Sequence, residues 1–398
     1  MQDSLYLYFD DLLQPVHLTG CADLIDDFPV LFPHRDYREG KQDDSPIISI
    51  QFDGGEYHLS SSRAGKTATY IDKVDVFCDL IARLAVARSY TDLEALYLHA
   101  AAVEINGRAV VFPSQYRAGK SFLTACFLAE GHHYVGDDIV PMELGSAKVH
   151  TPGFSPRLRL PLPDTTDKKS RDFIECHTAV IGERYGYLNI EPELRMTRNE
   201  SLDIGAFVLL KHEKGIKAQL ESLPVATVFQ QLIKQNFARE VDSSLILSTL
   251  TQAVSNAQCF KLHYDRADEA VRLLKDQFAC WPSRTHVSQV EQNIPDPVIH
   301  TEEREASGDC SNKYFNRNLL VQKIRIEDES FLTSPDGKAI YHLNQIGSGI
   351  WELLSEPTTK ELIISTLETA FPETETSTID RDVTKILGRF QLKNLISC

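Results

Sequence analysis

Residues 114–121 read SQYRAGKS. A glycine followed by Lys-Ser is the end of a phosphate-cradling loop, here with serine in place of the first glycine. Letters alone do not make such a loop. A buried strand must run into it and a helix must start at the lysine, so that backbone N–H groups and the helix N-terminus converge on the anion. Both flanks comply. RAVVFP (108–113) is a short apolar run suited to a buried strand, and FLTACFLAEG (122–131) is helix-like and ends on Gly131.

The tetrapeptide RAGK occurs a second time, within SSSRAGKT at 60–67. Before it, ISIQFDGGEYHL reads as two strands joined at Asp53-Gly54-Gly55, and after it ATYID is short and β-prone. No helix is expected before about residue 72, so 63–67 reads as a solvated basic loop, and 114–121 is the copy expected to hold phosphate.

With 398 residues, two or three domains are expected. The net charge of −16 argues against a non-specific nucleic-acid binder. No apolar run reaches the ~18 residues of a membrane span, and MQDSLYLYFDD carries no signal-peptide pattern. The eight cysteines form no CxxC pair. A soluble cytoplasmic protein with reduced thiols and no membrane partner is expected. The polar stretch 283–312, with two prolines in NIPDP, reads as a linker between a unit at 1–282 and one at 313–398.

The first unit reads as α/β with a β-rich N-terminal part. A helix is expected at about 72–88, the strands YLHAAAVEI and RAVVF joined at Asn106-Gly107, a strand near HHYVGDDIV, short pieces KVHTPG and PRLRLPL, and strands and helices alternating to 279. The second unit reads βββααα, winged-helix-like, with strands at 320–326, 329–334 and 338–343. Its helices are expected at 344–354, 358–371 and 377–395, capped by Asn344, Thr358 and Ser377.

Around the loop, Lys120 is placed to reach the β- and γ-phosphates of a nucleotide and Ser121 to ligate Mg²⁺. Asp137-Asp138 follows the helix, where paired carboxylates can hold the metal and accept a hydroxyl proton. Taken alone, His99 reads as a satisfied strand histidine and Gly-Asp-Asp as a turn; beside the loop both gain a second role. Arg157 and Arg159 alternate on one strand and read equally as solvated charges or phosphate contacts.

LHAAAV…RAGKS…GDDIVP resembles the kinase domain of the HPr kinase/phosphorylase family, with His99 and Lys120 21 residues apart. The resemblance is strong over 95–165 and weak to 282. It implies a P-loop kinase fold of that type, ATP and Mg²⁺ as cofactors, and active-site roles for His99, Lys120 and Asp138, with Asp137 second for the base. The nucleotide would rest on Ser114, Gln115, Tyr116, Arg117, Ala118, Gly119, Lys120, Ser121 and Arg157, and the metal on Ser121 and Asp137. Hexamers occur in that family, so a homo-oligomer is among the states the resemblance allows. Ser114 replaces the first loop glycine and is expected to strain the turn. The family's second signature is absent; PRLRL (156–160) stands there, which implies kinase activity without the reverse phosphorylase reaction.

In the second unit, IYHLNQIGSGIWELLSEPTT and TIDRDVTKILGRFQLKNLI resemble PqqD-like peptide-recognition modules, through Leu343, Asn344, Ile350, Trp351, Asp382 and Val383. The resemblance implies capture of the leader segment of a ribosomally made peptide by strand addition beside the last helix. Arg381, Lys385 and Arg389 form one basic stripe there, suited to an acidic leader. Trp351 is expected in the core. Together these readings describe a kinase acting on a serine or other hydroxyl of a captured precursor peptide. The alternatives are a non-catalytic peptide-binding scaffold with a degenerate nucleotide site, and a small-metabolite kinase.

Overall fold

At Asn106-Gly107 the chain takes φ of 49° and 80°. Positive φ at both central residues matches the twist of a two-residue hairpin, which is why asparagine and glycine stand there. The hairpin joins Ala101–Ile105 to Arg108–Phe112, in register from Ala101 opposite Phe112 to Ile105 opposite Arg108. The structure is a computed structural model. It describes residues 4–33, 35–40, 45–63, 67–114, 117–198, 200–238, 240–281, 290–293 and 314–398.

The chain is mixed α/β and separates into two compact units, Met1–Glu240 with Gln252–His286, and Val241–Thr251 with Val287–Cys398. In the first unit the hairpin belongs to a six-stranded sheet. Its order is Tyr134–Gly136, Ala101–Ile105, Arg108–Phe112, Ile204–His212, Gln258–Tyr264, Gln219–Ser222. Ile204–His212 runs parallel to both neighbours, and parallel neighbours require long crossovers. The helices Lys120–Ala129 and Ala267–Gln277 cover one face. Val110, Phe112, Leu123, Phe127, Val208, Leu262, Val271 and Leu274 interlock there, all at most 2% exposed. The second RAGK stretch joins the antiparallel strands Glu56–Ser61 and Ala68–Tyr70. No helix starts at Thr67, Arg63 lies 4.1 Å over the Tyr90 ring, and Lys66 is outside the described residues.

The expected strand YLHAAAVEI is broken. Ala95–Leu98 pairs with Val140–Glu143 in a different sheet, and His99 and Ala100 form the crossing between the two. Helix Lys168–His177 and the strands Thr178–Ile181 and Tyr185–Leu188 were not expected.

The second unit holds Lys323–Ile326, Glu329–Thr333 and Ile340–Leu343, then helices Gln345–Leu353, Lys360–Ala370 and Thr376–Leu392, which is the βββααα order. Asn344 caps the first helix, its Oδ1 accepting from Gly347 N at 2.9 Å. The other two caps differ from expectation: Thr359, not Thr358, accepts from Leu362 N, and Glu375, not Ser377, precedes the last helix. Among the described residues four strands are additional: Val290–Asn293, Tyr314–Arg317, Thr358–Thr359 and Ile396–Ser397. Tyr314–Arg317 pairs with Thr358–Thr359 and Ile396–Ser397. Val290–Asn293, inside the expected linker, pairs antiparallel with Lys323–Ile326; residues 283–289 and 294–312 lie outside the described residues. Among the described residues no helix is long and apolar enough to cross a membrane.

Trp351 is 1% exposed and meets Phe390 edge-on at 5.5 Å, with Arg317 4.9 Å over its ring. Its core placement follows expectation. Trp351→Ala destabilises this unit by about 3–5 kcal/mol; urea denaturation of the full chain followed by circular dichroism measures it, and an unchanged midpoint contradicts a packing role.

Candidate functional site

The strand Arg108–Phe112 leads into the loop, and helix Lys120–Ala129 starts at Lys120 with Gly119 as N-cap at φ 88°. A Cβ at Gly119 would sit 2.6 Å from Tyr264 Oη, so the position excludes a side chain on two counts. Tyr264 Oη donates to Ala118 O at 3.3 Å and braces the loop from the strand Gln258–Tyr264.

The expected strain at Ser114 is absent. Its φ is not positive; among the described residues of the loop the positive values fall at Arg117 (64°) and Gly119. Ser114 is buried, and its Oγ accepts from Leu210 N at 2.7 Å. The hydroxyl therefore ties the loop to the neighbouring parallel strand, while Ser114 O accepts from Lys120 Nζ at 3.0 Å. Gln115 and Tyr116 lie outside the described residues.

Strand Tyr134–Gly136 delivers the carboxylate pair. A Cβ at Gly136 would meet Ile139 O at 2.7 Å, so glycine permits the tight turn. Asp138 takes φ 62°, a left-handed conformation that aspartate tolerates better than most residues. The turn points the two carboxylates at different partners. Buried Asp137 accepts from Ser121 Oγ at 2.9 Å. Asp138 Oδ2 accepts from Arg157 Nη2 at 2.5 Å, and its Oδ1 lies 3.6 Å from His99 Nε2. His99 Nε2 is 3.4 Å from Lys120 Nζ. His99, Lys120, Ser121, Asp137, Asp138 and Arg157 are thus brought together. Arg159 donates to Tyr185 Oη at 3.1 Å, and both line the cavity over the loop without joining this cluster.

The electrostatics divide the pair. Burial, reinforced by the neighbouring Asp138 charge, raises the Asp137 carboxyl above its ordinary range. Burial also works to raise Asp138, but His99, the Arg157 guanidinium and Lys120 outweigh it and hold this carboxyl low. Burial draws the Lys120 ammonium down against the support of Asp138 and Asp137. Two carboxylates with opposed environments are suited to different tasks. Asp138 stays ionised, and Asp137 ionises most readily beside a cation.

Two cavities meet at this cluster. One, of about 280 Å³, is lined by Arg117, Gly119, Lys120, Ser121, Asp138 and Arg157 among others. The other, of about 440 Å³, has His99, Asp138 and Arg157 in its lining. Asp138 and Arg157 face both. Among the described residues no cluster of three His, Cys, Asp or Glu is placed to cage a metal alone. Mg²⁺ does not ask for one, since it typically takes one or two protein oxygens and completes its shell with phosphates and water. The converging Ser121 hydroxyl and Asp137 carboxylate, with the glycine-lined helix start beside them, fit Mg²⁺ and a nucleotide phosphate.

Residues not singled out from sequence include Tyr264 behind the loop, and Cys78 and Tyr187 in the larger cavity. Tyr187 Oη donates to Cys78 Sγ at 3.6 Å. No local motif marks them; they reach the site from distant strands and a helix.

In the second unit, Arg381, Lys385 and Arg389 are exposed on one face of Thr376–Leu392, while Ile379, Val383, Leu387 and Phe390 are buried on the other. Lys393, at the end of this helix, lies 5.9 Å over the ring of Tyr341 in the strand Ile340–Leu343. That strand pairs with Glu329–Thr333 on one side, and among the described residues nothing pairs with its other side.

Residues 329–396 match the family of coenzyme PQQ synthesis protein D (PqqD). The C-terminal unit therefore carries a PqqD domain. Among solved structures, a similar chain from TbiB1 in complex with the TbiA(beta) leader peptide is 26% identical over 21% of this chain and 94% of its own. Its TM-score of 0.20 is too low to carry an argument. No curated protein matches the chain.

Proposed function

We propose that the chain is an ATP-dependent kinase that phosphorylates a hydroxyl, a serine's by preference, on a ribosomally made precursor peptide captured by its PqqD domain. The observation that carries the reading is the pair of cavities sharing Asp138 and Arg157, one of them floored by the phosphate-type loop. A donor and an acceptor placed in them meet at one carboxylate.

The residues then divide the work. The Gly119–Lys120 backbone and the Lys120 ammonium hold the β- and γ-phosphates of ATP. Mg²⁺, bound through Ser121 and Asp137, would neutralise charge on those phosphates. Asp138 orients the acceptor hydroxyl and takes its proton as the oxygen bonds to the γ-phosphorus. The bond from that phosphorus to the β,γ-bridging oxygen breaks, and ADP leaves with the electron pair. Arg157 lies between both partners and offsets charge on the moving phosphoryl. The absence of the second family signature supports a forward kinase without phosphorolysis.

Peptide capture is read from the PqqD domain, the open side of Ile340–Leu343 and the exposed stripe. A peptide strand can add along that side of Ile340–Leu343 while acidic residues face Arg381, Lys385 and Arg389. Reversing the stripe to glutamates weakens leader binding and flattens its salt dependence, because exposed charges are screened within roughly 8 Å at physiological ionic strength. Titrating a labelled leader at two salt concentrations measures both effects.

The deciding experiment incubates the full chain with radiolabelled ATP, Mg²⁺ and the precursor peptide encoded beside its gene. Label on a peptide hydroxyl is the expected result. Peptide binding without transfer favours the scaffold reading, and transfer only to small molecules favours a metabolite kinase.

A further inference from the structure

Helix Lys73–Ser89 departs from ordinary amphipathic design on one side. Its interior face buries Val74, Phe77, Leu80 and Leu84, and Asp79 and Arg83 form a charged pair at 2.9 Å. Cys78, Ala82 and Val86, at i, i+4 and i+8, form a second apolar row outside that interior. Ala82 and Val86 are exposed, Val86 by 43%. A solvent-facing row is normally polar. This row instead lines the larger cavity, with Phe154 and Phe237 also in its walls. Among the described residues Lys234, exposed, is the one lining lysine. Cys78 and Tyr187 aside, the other ionisable side chains, those of His99, Asp137, Asp138 and Arg157, gather in one cluster.

A cavity of about 440 Å³ far exceeds what one serine side chain needs. A polyol or sugar could bond Ser155, Gln235 and Asn236 on one part of the wall, but would leave hydroxyls against Ala82, Val86, Phe154 and Phe237 without protein partners, at a cost for each unpaired polar group. An apolar group would cover the same wall at a gain. We infer that the acceptor hydroxyl arrives with a bulky aliphatic or aromatic side chain beside it: a serine or threonine in the peptide whose neighbour packs on the Ala82–Val86 row. This deepens the kinase reading of the same site and rests on it for the role of the hydroxyl.

The test uses the full chain with Mg²⁺ and a non-hydrolysable ATP analogue. Two short capped fluorescent peptides each carry one serine, flanked by leucine and phenylalanine in one and by glutamate and glutamine in the other. Anisotropy should show the apolar-flanked peptide binding about 10-fold tighter or more, the scale of a filled hydrophobic pocket. Val86→Asp, at an exposed position that folding tolerates, should remove the difference. Equal affinities overturn the inference, and so does a preference that survives Val86→Asp. A parallel assay with ATP separates the two levels. A binding preference lost in Val86→Asp, without phosphate transfer to the full precursor peptide, supports the pocket assignment and sinks the kinase reading.

Discussion

Asp138→Asn lowers kcat for phosphoryl transfer to the peptide by about 10²–10⁴-fold, the usual span of general-base help, with ATP affinity largely kept. Asparagine preserves the size of the side chain and an oxygen to accept from Arg157, and it tolerates the φ of 62° at this turn. What it loses is the ability to take a proton. His99 at 3.6 Å and Arg157 at 2.5 Å hold the carboxylate in place, and the neighbouring cations keep it ionised. Steady-state kinetics at saturating ATP give the rate, and calorimetry gives nucleotide affinity. Turnover at the wild-type rate would mean that another group receives the proton.

Lys120→Ala weakens ATP binding by the worth of a charged hydrogen bond, about 1.5–3 kcal/mol or roughly 10–150-fold. Lys120 is 5% exposed, its Nζ is anchored on Ser114 O, and it sits at the first turn of a helix whose N-terminus already favours anions. Lys66→Ala, in the other RAGK stretch, leaves affinity unchanged. Lys120→Met controls for packing, since it keeps most of the buried volume and should bind nucleotide as poorly. Equal losses from the Lys66 and Lys120 substitutions would overturn the assignment of the loop.

Strand, loop and helix at 108–131 were legible because each signal is local: an apolar run, a glycine that must be left-handed, a helical period. The Asn106-Gly107 hairpin and the βββααα order of the second unit were legible for the same reason. The site was legible only as far as its motifs reached. His99 was placed within a strand, yet it occupies the gap where the chain leaves one sheet for another, and alternation alone cannot reveal that exchange. Helix Lys168–His177 carries no apolar stripe to mark it, since only Ser170 and Ile174 are buried along it. Tyr314–Arg317 pairs with residues far along the chain, and the larger cavity draws its walls from residues near 82, 154 and 237. Such convergence has no signature in any one stretch. Ser114 shows the opposite failure: its replacement of glycine read as a defect, but the hydroxyl has a structural partner in Leu210 N.

The pairing of Val290–Asn293 with Lys323–Ile326 changes what the C-terminal sheet can do in a concentrated solution. A sheet with both margins open can template a neighbour on each side, and such growth has no natural end. Pairing adds one strand and moves that margin outward, so among the described residues the sheet ends on Val290–Asn293 at one side and on Ile340–Leu343 at the other. Each of these edge strands is four residues long. A short edge offers an incoming strand few backbone groups to pair with, so neither margin invites fibre-like growth between molecules.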